Sequence, residues 1–108
     1  MYLPNKENAE IPDKKLTHYL FARFHSIGKH KARVLQSAGF TDPEILKKEL
    51  LKLAQTENVT NMIETKFGMK YIIDGTIKTP DGYFFDVRTI WIIEHGKTIP
   101  RSVTLYPL

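Results

Sequence analysis

The chain has no cysteine among its 108 residues. It therefore has no disulfide, no thiolate nucleophile and no cysteine-ligated metal site, and this composition fits a reducing cytoplasm. No apolar run approaches the roughly 18 residues needed to span a bilayer. The first residues also lack the basic leader and apolar stretch of a signal peptide. The sequence predicts a cytoplasmic protein that is not embedded in a membrane.

The sequence is also poor in patterns that hold metals or cofactors. His25 and His30 lie five residues apart with no carboxylate between them, and this spacing does not favour zinc or magnesium. A glycine-rich phosphate loop, a serine triad and a paired-carboxylate motif are missing as well. We therefore expect no metal, no cofactor and no small-molecule ligand.

Positive charge is concentrated in one segment. The chain has 16 lysines and arginines against 12 acidic residues, a net charge of +4. Residues 14–33 contain six of these cations and no carboxylate, and residues 25–33 add two histidines. A local cationic segment favours an anionic partner, and imidazoles can transfer protons near neutral pH.

Helical periodicity dominates the first half of the chain. Residues 1–12 are polar, contain two prolines and are predicted to form an irregular arm. Helices are predicted from residue 13, over about 28–38, and from 43 to about 55. The third is the clearest, because a capping residue precedes Pro43 and Leu46, Leu50 and Leu53 follow at helical spacing.

From residue 59 the pattern changes to the alternation typical of strands. Four strands are predicted over 59–67, 69–78, 83–94 and 101–106, with a hairpin turn at residues 79–82 where Pro80 and Gly82 lie. Helices that precede a run of strands indicate a single α+β domain over residues 13–108. The predicted fold has three N-terminal helices packed on one face of a four-stranded antiparallel sheet.

Several short motifs together resemble a bacterial domain family that carries no assigned function. The family pattern is His-x-x-Gly-[Lys/Arg]-x-Lys-Ala early and Pro-Arg-x-Val-Thr-x-Tyr late, and residues 25–32 and 100–106 match it. Tyr71, Gly75, residues 80–82 and residues 88–91 complete the set. The resemblance covers residues 11–107, with Ser26 where the family often has proline.

The order of elements resembles, more distantly, the barnase–EndoU–colicin–RelE superfamily. These are small metal-independent ribonucleases, frequently toxins held by an antitoxin. The resemblance implies attack of a ribose 2′-hydroxyl on the phosphodiester, which leaves a 2′,3′-cyclic phosphate. Such a reaction needs a base for the hydroxyl, an acid for the leaving oxygen, and cations beside the phosphorane.

Four residues are predicted to form the catalytic set. His25 would act as base, Lys31 and Arg101 would stabilise negative charge, and Thr104 would donate a hydrogen bond to phosphate. Two alternatives stay open at this point. His25 could instead bond the backbone at a helix end, and Thr104 could be an ordinary strand threonine.

Further residues are predicted to bind nucleic acid: Lys29, His30, Arg33 and Arg88. For Arg88 the favoured alternative is an ion pair with Asp74, Asp86 or Glu94, an explanation that also applies to Arg101. Thr89 is a weaker candidate.

Three functions are compatible with these patterns. The first is a ribonuclease of the toxin type, with RNA as substrate and a cognate antitoxin as partner. The second is a non-catalytic basic module that binds nucleic acid or an acidic protein, and the third is a structural subunit. Convergence of His25, Lys31 and Arg101 on one cleft would favour catalysis.

Overall fold

The computed structural model describes residues 1–21 and 39–108, with the backbone alone for residues 18–21. A 3₁₀ turn at Lys6–Asn8 precedes two α-helices, α1 (Asp13–Phe21) and α2 (Pro43–Thr56). Four strands follow: β1 (Asn61–Thr65), β2 (Gly68–Lys78), β3 (Phe84–Glu94) and β4 (Arg101–Pro107). The strands form one antiparallel sheet in the order β1-β2-β3-β4.

Helix α2 begins and packs as its sequence predicts. The Asp42 carboxylate accepts a hydrogen bond of 2.9 Å from the Glu44 amide, and Pro43 fills the first turn. The helix buries Leu46, Leu50, Leu53 and Ala54. Gly75 of β2 allows this close approach, because a methyl group there would lie 3.1 Å from Leu53 Cδ1.

The two faces of the sheet differ. Alternation along the strands places a set of buried residues on the face that carries the helices: Tyr71, Ile73, Ile77, Val87, Thr89, Trp91 and Leu105. The opposite face is here called the polar face, and its residues include Lys70, Asp74, Arg88, Ile90, Ile92, Glu94, Arg101, Thr104 and Tyr106.

The turn between β2 and β3 confirms the predicted hairpin. The Gly82 amide donates to the Thr79 carbonyl at 2.9 Å, and Gly82 has a φ of +89°. This left-handed conformation suits glycine, because a side chain is strained there. The hydroxyl of Thr79 also accepts a hydrogen bond of 2.9 Å from the Tyr83 amide.

The prediction of three N-terminal helices is wrong, although the four-stranded antiparallel sheet is as expected. In the part of the chain that the structure describes, there is one main helix, α2, one small helix, α1, and the 3₁₀ turn. The predicted middle helix lies within residues 22–38, outside the described residues.

The first twelve residues are attached to the rest of the fold. Leu3 and Ile11 are buried in the core. The Met1 carbonyl accepts a hydrogen bond of 2.7 Å from the Val59 amide, and Glu10 forms a parallel bridge with Arg101. This segment therefore reaches the beginning of β4.

Candidate functional site

Arg101 begins β4 on the polar face, opposite Ile92 of β3. Its Nε donates a hydrogen bond of 2.7 Å to Oε1 of Glu94, the last residue of β3. The Arg101 side chain is 40% exposed and that of Glu94 30%. The pair is therefore fixed in geometry and still accessible to a ligand.

A tight turn brings Lys97 to the same carboxylate. The Lys97 amide donates to the Glu94 carbonyl at 2.9 Å, and Gly96 takes a φ of +78°, which favours glycine. Lys97 Nζ lies 3.9 Å from Glu94 Oε1. The turn thus places two cations beside one carboxylate.

The N-terminal segment holds the start of β4 in place. The Glu10 amide donates to the Pro100 carbonyl, and the Ser102 amide donates to the Glu10 carbonyl, both at 2.9 Å. The Asn5 side-chain amide donates to the Thr98 carbonyl at 2.7 Å. These bonds tie the β3–β4 turn to residues that are distant in sequence.

These elements border an open pocket of about 320 Å³ at the β3–β4 turn. This volume lies at the small end of the range for ligand-binding clefts. The pocket, called the β3–β4 pocket below, is lined by Glu10, Glu94, Gly96, Lys97, Thr98, Ile99 and Arg101. Its charged groups are two cations and two carboxylates.

The electrostatics of the pocket keep Glu94 ionised. The hydrogen bond from Arg101 is the largest influence and lowers the pKa of the Glu94 carboxyl below its ordinary value of 4.5. The charges of Arg101 and Lys97 lower this pKa further, and partial desolvation opposes them. At neutral pH the carboxylate therefore orients the guanidinium.

A β-bulge places Thr104 on the same face as Arg101. Residues three apart in a regular strand point to opposite faces. In β4, however, Thr104 is opposite Ile90 and Ser102 is opposite Trp91, so Val103 is the additional residue. Two of the four predicted catalytic residues, Arg101 and Thr104, thus share the polar face.

Arg88 is engaged in a two-point ion pair. Its Nε and Nη2 donate to the two carboxylate oxygens of Asp74 at 2.8 and 2.9 Å. This hydrogen bond is the main cause that lowers the pKa of Asp74 and raises that of Arg88. The ion-pair interpretation of Arg88 thus matches the structure, and its role in nucleic-acid binding stays a prediction.

The remaining predicted site residues, His25, Lys29, His30, Lys31 and Arg33, lie outside the described residues. The sequence interpretation missed Glu94 and Lys97 as members of a site. The sequence could have indicated both residues, because a short turn between two predicted strands brings the residues on either side of it together. The sequence pattern indicated Glu94 only as an ion-pair partner.

Two further findings concern residues 1–21 and 39–108. Within these ranges, no group of three or more histidine, cysteine or acidic residues could hold a metal ion. None of the helices there is long and apolar enough to cross a membrane.

These features define a small α+β domain, with helices on one face of an antiparallel meander and a charged pocket at one end of the other face. The chain belongs to the family described as Domain of unknown function (DUF6883), whose sequence model matches residues 2–108. Membership of a family without an assigned function, expected from the resemblance, is confirmed.

The fold is also found in a solved structure of a contact-dependent growth inhibition toxin–immunity protein complex from Klebsiella pneumoniae 342. One chain of that structure is similar with a TM-score of 0.72 and 17% sequence identity, over 91% of this chain and 98% of that chain. At this identity the likeness shows the fold alone. No curated protein matches the chain.

Proposed function

We propose that this protein is a metal-independent endoribonuclease of the toxin type, which cleaves RNA by 2′-hydroxyl attack and is held by a cognate protein. The fold likeness to a chain of a toxin–immunity protein complex supports the toxin class and the protein partner. The described residues contribute a pocket lined by Arg101 and Lys97, whose side chains could bind a phosphodiester.

The observation that carries the proposal is the placement of Arg101. Its Nε is hydrogen-bonded to Glu94, which orients the guanidinium in the β3–β4 pocket beside Lys97. Arginine has five N–H donors in a planar fork, and its terminal nitrogens can bind two phosphate oxygens at once. Charge that develops on the phosphorane would be stabilised there.

The other predicted members of the site complete the proposal. Thr104, on the same face, would donate a hydrogen bond to a neighbouring phosphate oxygen. His25 and Lys31 stay predictions as base and cation. Lys29, His30, Arg33 and Arg88 are proposed to steer the RNA backbone.

The test is cleavage of total RNA by the purified protein in EDTA, with analysis of the new 3′ ends. We expect 2′,3′-cyclic phosphates, and we expect Arg101→Gln to lower the rate by roughly 100-fold or more. Lys48→Gln is the matched control, because it removes one exposed cation from helix α2, away from the pocket. Intact RNA, or equal rates for wild type and Arg101→Gln, would contradict the proposal.

A non-catalytic binding module is the second candidate. One observation favours it: carboxylates pair with both arginines of the polar face, Arg88 with Asp74 and Arg101 with Glu94. Such a surface suits a protein partner with its own mixed charges. Binding of RNA or of an acidic protein that weakens with salt, without any cleavage, would support this candidate.

A further inference from the structure

Besides its hydrogen bond to Arg101, the Glu94 carboxylate is accessible to a ligand in the β3–β4 pocket. Its carboxylate lies 2.7 Å from Arg101 Nε and 3.9 Å from Lys97 Nζ, and it lines the β3–β4 pocket. Both oxygens belong to a side chain that is 30% exposed. A ligand phosphate bound by Arg101 would therefore meet this carboxylate as its neighbour.

The arrangement of N–H donors on the Arg101 guanidinium explains why a bound phosphate would lie beside the Glu94 carboxylate. Glu94 accepts the hydrogen bond from Arg101 Nε, and the terminal nitrogens of a guanidinium carry further N–H donors that can bind a phosphate. A carboxylate and a phosphate that share one guanidinium lie side by side, within a few ångströms. The ribose 2′-hydroxyl is directly attached to the sugar that carries the scissile phosphate, so it lies within reach of the same carboxylate.

We propose that Glu94 is the general base of the cleavage reaction, taking the proton of the ribose 2′-hydroxyl while Arg101 and Lys97 bind the scissile phosphate. This inference rests on the proposed function and deepens it. It assigns to Glu94 the role that the sequence suggested for His25.

The step balances without a metal or a cofactor. The 2′-hydroxyl proton moves to the Glu94 carboxylate, the bond from the 2′-oxygen to phosphorus forms, and the bond from phosphorus to the 5′-oxygen breaks. The leaving 5′-oxygen takes a proton from a water molecule. The resulting hydroxide then takes the proton from Glu94, which restores the carboxylate.

The pH dependence of the rate distinguishes Glu94 from a histidine as the general base. Among the described residues, the charged groups that contact Glu94 are Arg101 and Lys97. Glu10 lines the same pocket, and Lys70 of β2 lies on the same face of the sheet. The hydrogen bond from Arg101 lowers the pKa of Glu94 from its ordinary value, so the fall in rate on the acid side should lie below the pH at which an ordinary glutamate titrates. A histidine base would place this fall at about pH 6.5.

The decisive variant is Glu94→Gln. Its amide oxygen can still accept the hydrogen bond from Arg101 Nε, whereas it cannot take a proton. We expect kcat to fall roughly 100-fold or more. KM, the affinity for a non-cleavable 2′-deoxy oligonucleotide, and the thermal unfolding temperature are expected to stay the same.

Glu64→Gln is the matched control. Glu64 is an exposed carboxylate of β1, and it does not line the β3–β4 pocket. We expect its kcat to match that of the wild type. A similar loss in both variants would point to general disturbance of the sheet and would overturn the assignment.

The outcomes separate the two proposals. Wild-type cleavage with full kcat in Glu94→Gln overturns the role of Glu94 and leaves the ribonuclease function standing. Loss of oligonucleotide affinity in this variant would make Glu94 a positioning residue instead. A wild-type acid limb near pH 6.5 contradicts the inference without any variant, and a wild type that cleaves no RNA overturns both proposals.

Discussion

The hydroxyl of Thr89 and the indole of Trp91 form a hydrogen-bonded pair inside the core. Thr89 Oγ1 donates to the Ile73 carbonyl at 2.8 Å and accepts from Trp91 Nε1 at 2.9 Å. Both residues are at most 2% exposed. Trp91 can be buried because its N–H has this partner, so Thr89 has a structural role in the described fold.

Replacing Thr89 by valine should therefore destabilise the protein. Valine keeps the volume, but the Trp91 N–H loses its acceptor, which costs about 1–3 kcal/mol of unfolding free energy. Urea denaturation followed by tryptophan fluorescence measures the change. Thr89→Ser is the control, because serine keeps the hydroxyl and loses one methyl group. A valine variant no less stable than the serine variant would contradict the assigned role.

Single residues show how far the sequence determines the candidate site. Arg101 could be selected from its residue type and its place after Pro100. The sequence could not show that Arg101 and Thr104 lie on the same face. Strict alternation along a strand places them on opposite faces, and only the bulge at Val103 brings them to one face. Glu94 could be identified only as an ion-pair partner, since its value as a base depends on the pocket around it.

Among the elements, the β1–β2 turn determines how closely three strands approach one another. Gly68 pairs with Thr65 of β1 and with Glu94 of β3. Its φ is +152°, and a methyl group built on it would overlap the Ile93 carbonyl oxygen. The hydroxyl of Thr65 closes the turn by donating to the Gly68 carbonyl at 2.8 Å.

We expect Gly68→Ala to be more destabilising than Gly82→Ala. Both glycines have a positive φ, and the cost of placing a side chain in a left-handed conformation is about 1–2 kcal/mol. Only at Gly68 does the added methyl meet backbone atoms, whereas at Gly82 nothing lies within 4 Å. The overlap should add about 1–3 kcal/mol. Equal unfolding free energies for the two variants in urea would contradict this explanation.

The helices and turns that the sequence predicted well are those whose sequence features act over only a few residues. The Asp42–Pro43 start and the leucine spacing identify α2, and residues 79–82 identify the β2–β3 turn, because these features act within a few residues. The 3₁₀ turn at Lys6–Asn8 has a weaker signal. Asn5 precedes it with a φ of +54°, and its side chain is held by the distant Thr98 carbonyl.

For the whole molecule, a net charge of +4 conceals an uneven distribution. Residues 14–33 carry six cations, whereas the described polar face pairs its arginines with carboxylates. A variant of Arg101 changes only one of the chain's 16 cations. Its effect on binding can therefore be compared with that of removing a cation elsewhere.

Salt should weaken the binding of a non-cleavable 2′-deoxy oligonucleotide. For single strands the logarithm of the association constant falls with the logarithm of salt concentration, with a slope of about −0.7 for each phosphate that is neutralised. If Arg101 binds one phosphate, Arg101→Gln should reduce the slope by about 0.7. Fluorescence anisotropy at several salt concentrations gives both slopes, with Lys48→Gln as the control whose slope stays at the wild-type value. An unchanged slope for Arg101→Gln would show that its guanidinium does not bind phosphate, because the loss of one phosphate contact necessarily reduces the number of released counterions.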